Sequence, residues 1–506
     1  MSQLNQLIAR LTKKEQSGFM RWLKRNSGES QELKLFRILA KNPKTQRAEL
    51  MNAFYDVPNR NGFDAIRKRL IRLIEQQIIL WMADPTKSQL GCILSNMMIS
   101  EFFLPREADQ LMQVYVSEAE KLALKNQHFD VLDGIYSYQI RHEHLVGISR
   151  KEINLKRLKN TPFFEKKRLL ETANSDIRNE LELAKKNGDV LNAKEISNRV
   201  MNRLKLSEAE MNIPQFQFSQ LSLIRNGLKS TKEYDQLEPL IIERYDRLIK
   251  ANAFQKEDAQ HQLGFLYMLA HVNFRNRKFD TAMAYTLEME SLLDLDTISF
   301  NNHFLKCNSL LASLYSFTGN NIKGIEILEE ALEDNAGSWF MSERLNMELN
   351  LVVFYFQSKD YKKSNRLLNR LEREYVNNIP RMGVEWSFKK DLIRLIVLLE
   401  IEDQDRAISF RNQMKDTYRK FLKNPRYRDA AMFFNYIGKV ALNSDVVKSK
   451  QFRLRVKSAA ESWTQLKSDI QAVTFFCWLK AKIQGREYYE VLVKELNADE
   501  NKINFG

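Results

Sequence analysis

Residues that form turns are scarce in this chain, and their scarcity limits the folds that it can adopt. Of 506 residues, 16 are Gly and 9 are Pro, less than half of the roughly 12% that average usage gives. An all-β protein needs Gly, Pro and Asn-Gly turns every few residues, and a doubly wound α/β protein needs them at each strand end. With 44% hydrophobic and 28% charged residues, the chain can still form a packed core. The sequence therefore predicts an all-α protein of long helices joined by short polar loops.

Positive charge is concentrated in two regions. The formal net charge is +15, of which residues 1–90 contribute +9 and residues 411–457 contribute +10, so the rest of the chain has a net charge of −4. Such a distribution suits a nucleic acid, an acidic protein or an anionic surface at either region. It equally suits an exterior that only faces solvent.

The cysteines and the N-terminal residues indicate a compartment. Cys92, Cys307 and Cys477 lie far apart in apolar helical contexts, and their spacing gives neither a disulfide framework nor a zinc motif. Residues 1–16 lack the apolar core of a signal peptide, and no stretch approaches the ~18–20 uncharged apolar residues of a spanning helix. We expect a cytoplasmic protein with no membrane partner.

Residues 1–90 are interpreted as a basic helical head. Thr12 is placed to cap a helix, and the helix that follows Phe63 has an outward face with four cations. These are Arg67, Lys68, Arg69 and Arg72. The order helix, turn, helix, turn and basic helix resembles that of helix-turn-helix and winged-helix domains, in which the last helix enters the major groove of DNA. The alternative is that the head caps the helices that follow, with its charges in solvent.

A repeat of about 42 residues runs through the rest of the chain. The residue that opens every second helix, in most cases a small one, lies at Ala193, Leu237, Ala282, Gly324, Ser364, Ala407 and Ser449, with Glu490 as the last mark. Their spacings are 44, 45, 42, 40, 43, 42 and 41 residues. A regular period of this length is typical of stacked helical hairpins, in which each repeat buries its apolar face on its neighbours.

The runs at 263–293, 310–332 and 351–371 resemble tetratricopeptide repeats, because small residues stand where two helices must approach and aromatic residues stand where neighbouring hairpins meet. Standard repeats of that family recur at 34 residues, so these hairpins are longer, and Leu237, Ser364 and Ser449 depart from the family's Ala or Gly. The predicted organisation is a head at 1–90, a TPR-like α-solenoid at 91–500 and a polar tail at 501–506. The stretches 158–170 and 205–218, which contain Pro, are interpreted as long loops between repeats.

The resemblance also implies a binding surface. Tetratricopeptide repeats bind peptides on the concave face that the first helix of each hairpin lines. By register, the corresponding positions in this chain are Tyr267, His271, Phe274, Arg275, Lys306, Ser309, Phe317, Asn346, Gln357 and Lys389. Amides that hold a peptide backbone, cations that meet carboxylates and aromatic anchors suit an extended peptide. The alternative is that about half of these residues pack against the next hairpin.

Known catalytic motifs do not occur in the sequence. There is no P-loop, no GxGxxG, no GxSxG and no HExxH. His142 and His144 are the closest pair of histidines, but residues two apart on a helix point in different directions. We therefore expect no enzyme activity, no cofactor and no metal site.

Two functions remain from different classes. The first is a non-enzymatic scaffold that binds a protein or peptide on the concave face of the solenoid. The alternative is a regulator that binds nucleic acid through its head and senses a partner through its repeats, an order of parts that is similar to that of peptide-sensing bacterial regulators.

Overall fold

Helices account for the secondary structure of the protein. The computed structural model describes residues 3–42, 45–54, 60–85, 87–143, 149–187, 195, 198, 202, 212–229, 234–255, 258–293, 297–333, 341–376, 378–462 and 470–497. These residues form 24 α-helices and a few short 3-10 helices, and no strand occurs among them. Helices that follow one another along the chain pack as neighbours. The predicted all-α fold, built as a solenoid of helical hairpins, is confirmed.

The chain divides into two compact units, Met1–Phe164 and Glu165–Gly506. The boundary expected at 90/91 stays a prediction, and the expected tail at 501–506 lies outside the described residues. The first unit holds α1 (Gln3–Arg10), α2 (Lys13–Ser27), α3 (Gln31–Lys41), α4 (Arg47–Asn52), α5 (Arg60–Met82), α6 (Gln89–Phe103), α7 (Asp109–Lys125), α8 (Phe129–Arg141) and the first part of α9 (Arg150–Asn187).

Local sequence signals explain how the first unit begins. The Thr12 hydroxyl oxygen accepts a hydrogen bond from the Glu15 N–H at 3.2 Å, and the Glu15 carboxylate accepts one from the Thr12 N–H at 2.8 Å. These reciprocal bonds form a capping box, which satisfies backbone donors that the first turn of a helix leaves unpaired. Behind the cap, Phe19 and Phe36 pack with ring centroids 4.8 Å apart. Both rings are fully buried, together with Phe63, in the core that the helical period predicts.

The loop expected at 158–170 is wrong, because α9 continues through Pro162. A proline inside a helix removes one backbone hydrogen bond and crowds the preceding turn. Contacts with α8 on both sides of Pro162 offset this loss. Arg157 makes two hydrogen bonds to Asp133 at 2.8 and 3.0 Å, and the Phe163 ring stacks on Phe129 at 5.1 Å. The other expected loop, 205–218, lies partly outside the described residues, and α10 begins within it at Pro214.

The second unit holds the remainder of α9 and fifteen further helices. They are α10 (Pro214–Lys229), α11 (Tyr234–Lys250), α12 (Ala259–Arg275), α13 (Phe279–Leu292), α14 (Thr297–Phe317), α15 (Asn321–Glu333), α16 (Met341–Gln357), α17 (Tyr361–Glu374), α18 (Val384–Glu400), α19 (Gln404–Thr417), α20 (Arg419–Lys423), α21 (Arg428–Leu442), α22 (Lys450–Ser462), α23 (Ile470–Gln484) and α24 (Tyr488–Leu496). A single apolar core extends through the hairpins from α12 to α24.

The residues that mark the repeat share one structural position. Each is the buried fourth residue of the second helix of a hairpin, at Leu237, Ala282, Gly324, Ser364 and Ala407. Two of them show why that position is small. A Cβ on Gly324 would lie 2.7 Å from the Ala312 carbonyl oxygen of the first helix, and the Ser364 hydroxyl donates to the equivalent carbonyl of Val352 at 3.0 Å.

The last two marks of the repeat do not share this position. Ser449 precedes α22 and is exposed, whereas Glu490 is an exposed residue of α24, and its neighbour Val491 is the buried fourth residue. The first mark, Ala193, lies outside the described residues. Sequence spacing alone cannot separate a buried position from the exposed position beside it, because both recur with the same period.

A second feature repeats with the hairpins, namely the turn between their two helices. One residue adopts a left-handed backbone, and the next N–H donates to the carbonyl five residues earlier, as from Asp360 to Tyr355 at 2.9 Å, which is a Schellman C-cap. It recurs at Arg277, Gly319, Lys359 and Glu402, at intervals of 42, 40 and 43 residues. Glycine, which adopts positive φ most easily, occupies one of these four sites, and Gly485 occupies the equivalent turn between α23 and α24. Arg277, Lys359 and Glu402 therefore carry backbone strain that glycine would not have at these turns.

Relief of this strain is measurable at Glu402, which is exposed and has φ of 59°. We expect Glu402→Gly to raise the free energy of unfolding by about 0.5–1 kcal/mol, because a non-glycine residue in this conformation costs about 1–2 kcal/mol. Asp405→Gly, three residues later inside α19, is the control and should lower it by a similar amount. Urea denaturation checks both; a loss of stability in Glu402→Gly contradicts the interpretation of the turn.

The last two helices, α23 and α24, form a C-terminal hairpin that bonds to earlier hairpins of the second unit. Its Tyr489 hydroxyl donates to the Ser316 carbonyl at 2.5 Å, and the Asn497 amide that follows α24 donates to the Phe317 carbonyl at 3.1 Å. Both carbonyls lie at the C-terminal end of α14, where a helix leaves acceptors unpaired.

The same hairpin also reaches the ends of α16 and α18. Glu487 forms an ion pair with Lys359 at 2.7 Å, and Glu400 accepts hydrogen bonds from Trp478 at 2.6 Å and from Lys482 at 2.8 Å. These contacts join residues that are 78 to 180 positions apart. The C-terminal hairpin therefore ties together three hairpins that a simple stack links only through nearest neighbours.

Loss of these bonds should loosen the C-terminal hairpin. We expect Tyr489→Phe combined with Asn497→Ala to speed amide hydrogen exchange in α23 and α24 roughly 5- to 30-fold, because each hydrogen bond contributes about 0.5–1 kcal/mol. Tyr436→Phe is the control, since its hydroxyl donates to the Arg455 carbonyl at an exposed site. Equal exchange rates in the double variant and the wild type are the outcome that contradicts the assigned contacts.

Candidate functional site

The groove positions that the structure brings together surround the ring of Tyr267. The Lys306 ammonium lies 5.6 Å from the centroid of this ring, and the Arg225 guanidinium lies 5.2 Å from it. The His271 ring is 5.8 Å away, one turn later on α12. Cations at such distances from an aromatic ring are held by its quadrupole. We call Arg225, Tyr267, His271, Lys306 and Glu343 the Tyr267 cluster.

Close packing of α10 on α12 explains why Arg225 reaches Tyr267. A Cβ on Gly264 would lie 2.3 Å from the Phe218 ring, so the absence of a side chain at Gly264 lets the two helices approach. Arg225 lies two turns after Phe218 on α10, and Tyr267 lies one turn after Gly264 on α12, so each shares a face with the packed residue. The next first helix, α14, supplies Lys306.

Burial and charge act together in the Tyr267 cluster. Burial lowers the pKa of Lys306; the neighbouring Arg225 lowers it further, and Glu343 opposes the change. Burial likewise raises the pKa of Tyr267, against the effects of Arg225 and Arg275. These side chains are half-buried, where charges interact more strongly than they do in bulk water. The arrangement is a partly desolvated cationic surface with an aromatic centre.

Three of the predicted groove residues lie in packed positions instead. Phe274 and Phe317 are buried and stack on each other with centroids 5.4 Å apart. Gln357 is 4% exposed; its side-chain carbonyl accepts from Ser316 at 2.8 Å, and it lies next to Tyr488 of the C-terminal hairpin. These residues hold α12, α14, α16 and the C-terminal hairpin together.

Three others bond to a neighbouring helix or to the next turn of their own helix. The Ser309 hydroxyl accepts from Asn350 at 2.9 Å, and the Asn346 amide oxygen accepts from the Trp386 indole at 2.9 Å. Both bonds join successive first helices. Lys389 forms an ion pair with Glu385 at 3.0 Å within α18. Arg275 lies near Tyr267 and acts on it electrostatically.

Arg225 and Glu343 were missed by the sequence reasoning. The register of the clear repeats begins at 263, and the hairpin of α10 and α11 has Leu237 in place of a small residue. The repeat register therefore assigned no groove position to Arg225. A usable signal was present: Phe218 and Arg225 stand seven residues apart on α10, which places the cation on the packed face.

In the head, two of the four predicted DNA-contacting cations form ion pairs. Arg67 pairs with Asp64 at 3.1 Å, and Arg69 pairs with Glu32 at 2.8 Å. Lys68 and Arg72 are exposed on α5. Internal ion pairs reduce the positive potential that this face offers to a phosphate backbone.

Within the described part of the chain, no group of three or more His, Cys, Asp or Glu residues could hold a metal ion. Burial raises the pKa of the Cys307 thiol to about 12 and also raises that of Cys477. A thiol is a poor nucleophile in that state. None of the described helices is long and apolar enough to span a membrane.

The sequence matches no protein-family model and no curated protein.

His303 lies one turn before Lys306 on α14 and is 5% exposed. Burial lowers its pKa to about 3, with smaller contributions from Lys306 and His261. An unfolded histidine has a pKa of about 6.5, so between these values the unfolded chain binds a proton that the folded chain excludes. Exclusion of this proton leaves the free energy of unfolding unchanged above pH 6.5 and lowers it by about 1.4 kcal/mol per pH unit below that value.

His303→Gln, which cannot gain this proton, should therefore lose less stability than the wild type between about pH 6.5 and pH 4. The Gln side chain keeps a donor in place of the imidazole, which bonds the Gln260 backbone. Urea denaturation at several pH values measures the difference. Parallel curves for the two proteins would show that His303 is not the group that titrates.

Proposed function

We propose that the protein is a non-enzymatic scaffold that binds an acidic, aromatic-containing peptide segment of a partner protein at the Tyr267 cluster. The supporting observation is the placement of Arg225 and Lys306 against one half-buried tyrosine ring. Carboxylates of a peptide meet such cations with charge-assisted hydrogen bonds, and partial desolvation strengthens them. Tyr267 provides the aromatic surface on which a partner side chain packs.

An extended ligand suits the elements around the cluster. Tyr267, Lys306 and Glu343 lie on α12, α14 and α16, the first helices of successive hairpins, so a segment that crosses all three meets a new set of side chains on each helix. Solenoids bind partners along surfaces of this kind. A TPR-like character of the repeats, with hairpins longer than those of the family, is part of this proposal. So is a cytoplasmic location, which suits the buried free thiols of Cys307 and Cys477.

The alternative, a nucleic-acid-binding regulator, has weaker support. Of the four predicted cations of the recognition helix, Arg67 and Arg69 are engaged in ion pairs, and Lys68 and Arg72 are exposed. Base recognition in the major groove needs several side chains that reach base edges. The Tyr267 cluster places two cations, Arg225 and Lys306, against one aromatic ring, and this arrangement favours the scaffold.

A direct binding experiment tests the scaffold. A fluorescein-labelled peptide rich in Glu and Phe, and a matched peptide with Lys in place of Glu, are titrated with the full chain at low and moderate salt. We expect the acidic peptide to bind preferentially and its affinity to fall as salt rises. Lys306→Met and Arg225→Met should each weaken it about 10-fold, or ~1.4 kcal/mol.

Lys362→Met is the matched control, since Lys362 is an exposed cation of α17, and it should leave peptide affinity unchanged. Equal binding of the two peptides, or full affinity in both cluster variants, contradicts the proposal. A labelled DNA duplex titrated in parallel tests the alternative, which gains support if binding is lost in Lys68→Ala with Arg72→Ala and kept in Lys306→Met.

A further inference from the structure

Helix α6 of the first unit is apolar on the side that faces solvent as well as on the side that faces the core. Ile93 and Ser100 are buried, whereas Leu90, Leu94, Met98 and Phe102 are 40–61% exposed. These four recur at every fourth residue and so form one stripe along the helix. A helix with apolar residues all round is normally covered on all sides.

The stripe continues onto α7. Phe103, next to Phe102, stacks on Tyr115 of α7 with centroids 6.0 Å apart, and Leu111 lies one turn before Tyr115. Leu111 and Val114 are 45% and 60% exposed. We call Leu90, Leu94, Met98, Phe102, Leu111 and Val114 the apolar face.

The exposed area of this face matches the apolar part of a stable interface. Its six exposed fractions equal about three whole side chains, or about 500 Å² at roughly 150–200 Å² for a large apolar side chain. A standard interface buries about 800 Å² per partner, of which about 55–65% is non-polar. Two such faces therefore bury the apolar area of a dimer of ordinary size.

The charge of the residues around the apolar face indicates which partner this face fits. Residues 88–100 contain no Asp, Glu, Lys or Arg in a chain of net charge +15. A symmetric contact brings identical surfaces together, so it must use a face without like charges. Arg106 and Glu107 follow α6, carry opposite charges and are exposed. The Arg106 guanidinium lies 3.6 Å from the centroid of the Phe102 ring, so charge borders this end of the face, as in the polar rim of an interface.

From this match of area and charge we propose that the apolar face joins two copies of the chain in a symmetric dimer. The contact is isologous, with α6 of one copy crossing α6 of the other, so that Leu94 and Met98 lie near the two-fold axis. Peptide binding at the Tyr267 cluster does not enter this inference.

Sedimentation velocity of the full chain from about 1 to about 100 µM measures the state directly. We expect a species of about 119 kDa, twice the 59.7 kDa chain. Leu94→Glu with Met98→Glu should raise the dimer Kd at least ~100-fold, with unchanged far-ultraviolet circular dichroism. Ile322→Glu is the matched control, because Ile322 is 70% exposed on α15, and should leave the dimer intact.

A second measurement does not require that the fold tolerate the two glutamates of the double variant. Met98→Cys placed near the two-fold axis should form an intermolecular disulfide on mild oxidation, whereas Ile322→Cys should not. A wild-type chain that stays monomeric at about 100 µM overturns the proposal, as does a dimer that survives the double substitution. A monomer that binds neutral lipid vesicles through Leu94 and Met98 overturns it in favour of a lipid surface.

Discussion

The second unit depends on the hydrogen bonds that its C-terminal hairpin makes with the ends of earlier helices. In a simple solenoid each hairpin contacts only its neighbours, so local openings need break only one interface. Here Tyr489 and Asn497 bond the last carbonyls of α14, and Trp478 bonds Glu400 at the end of α18. Long-range bonds of this kind couple the hairpins between them, since α14 cannot separate from α16 and α18 without release of the C-terminal hairpin.

The same contacts decide which groove positions remain available. Phe317 and Gln357, at the ends of α14 and α16, are almost completely buried with the C-terminal hairpin near them. Tyr267 and Lys306 lie further from these helix ends and keep part of their surface in solvent. The side chains that are available to bind a partner therefore lie in the middle of the first helices. Polar residues there either surround Tyr267 or, like Ser309 and Asn346, bond the next hairpin.

The sequence predicted what depends on local periodicity. The all-α fold, the cap at Thr12 and the small fourth residue of the second helices follow from capping chemistry and from the contact between two adjacent helices, as at Gly324. It did not predict the helix through Pro162, which is held by Arg157 and Phe163, or the contribution of Arg225. Contacts between residues distant in sequence determine these features, and the spacing along the chain gives no more than the face of α10 on which Arg225 lies.

Buried polar groups fix the register between the two helices of a hairpin. Glu348 is fully buried, accepts from the Tyr375 hydroxyl at 3.0 Å and pairs with Arg344 and Arg370 at 3.1 Å. In the next hairpin, 43 residues on, Asp391 accepts from the Tyr418 hydroxyl at 2.6 Å. Buried ion pairs add little net stability, but a broken one costs about 3–5 kcal/mol. A shift of the second helix by one turn would break the bonds of Glu348 to Arg370 and Tyr375 and that of Asp391 to Tyr418, so these bonds select one register in each hairpin.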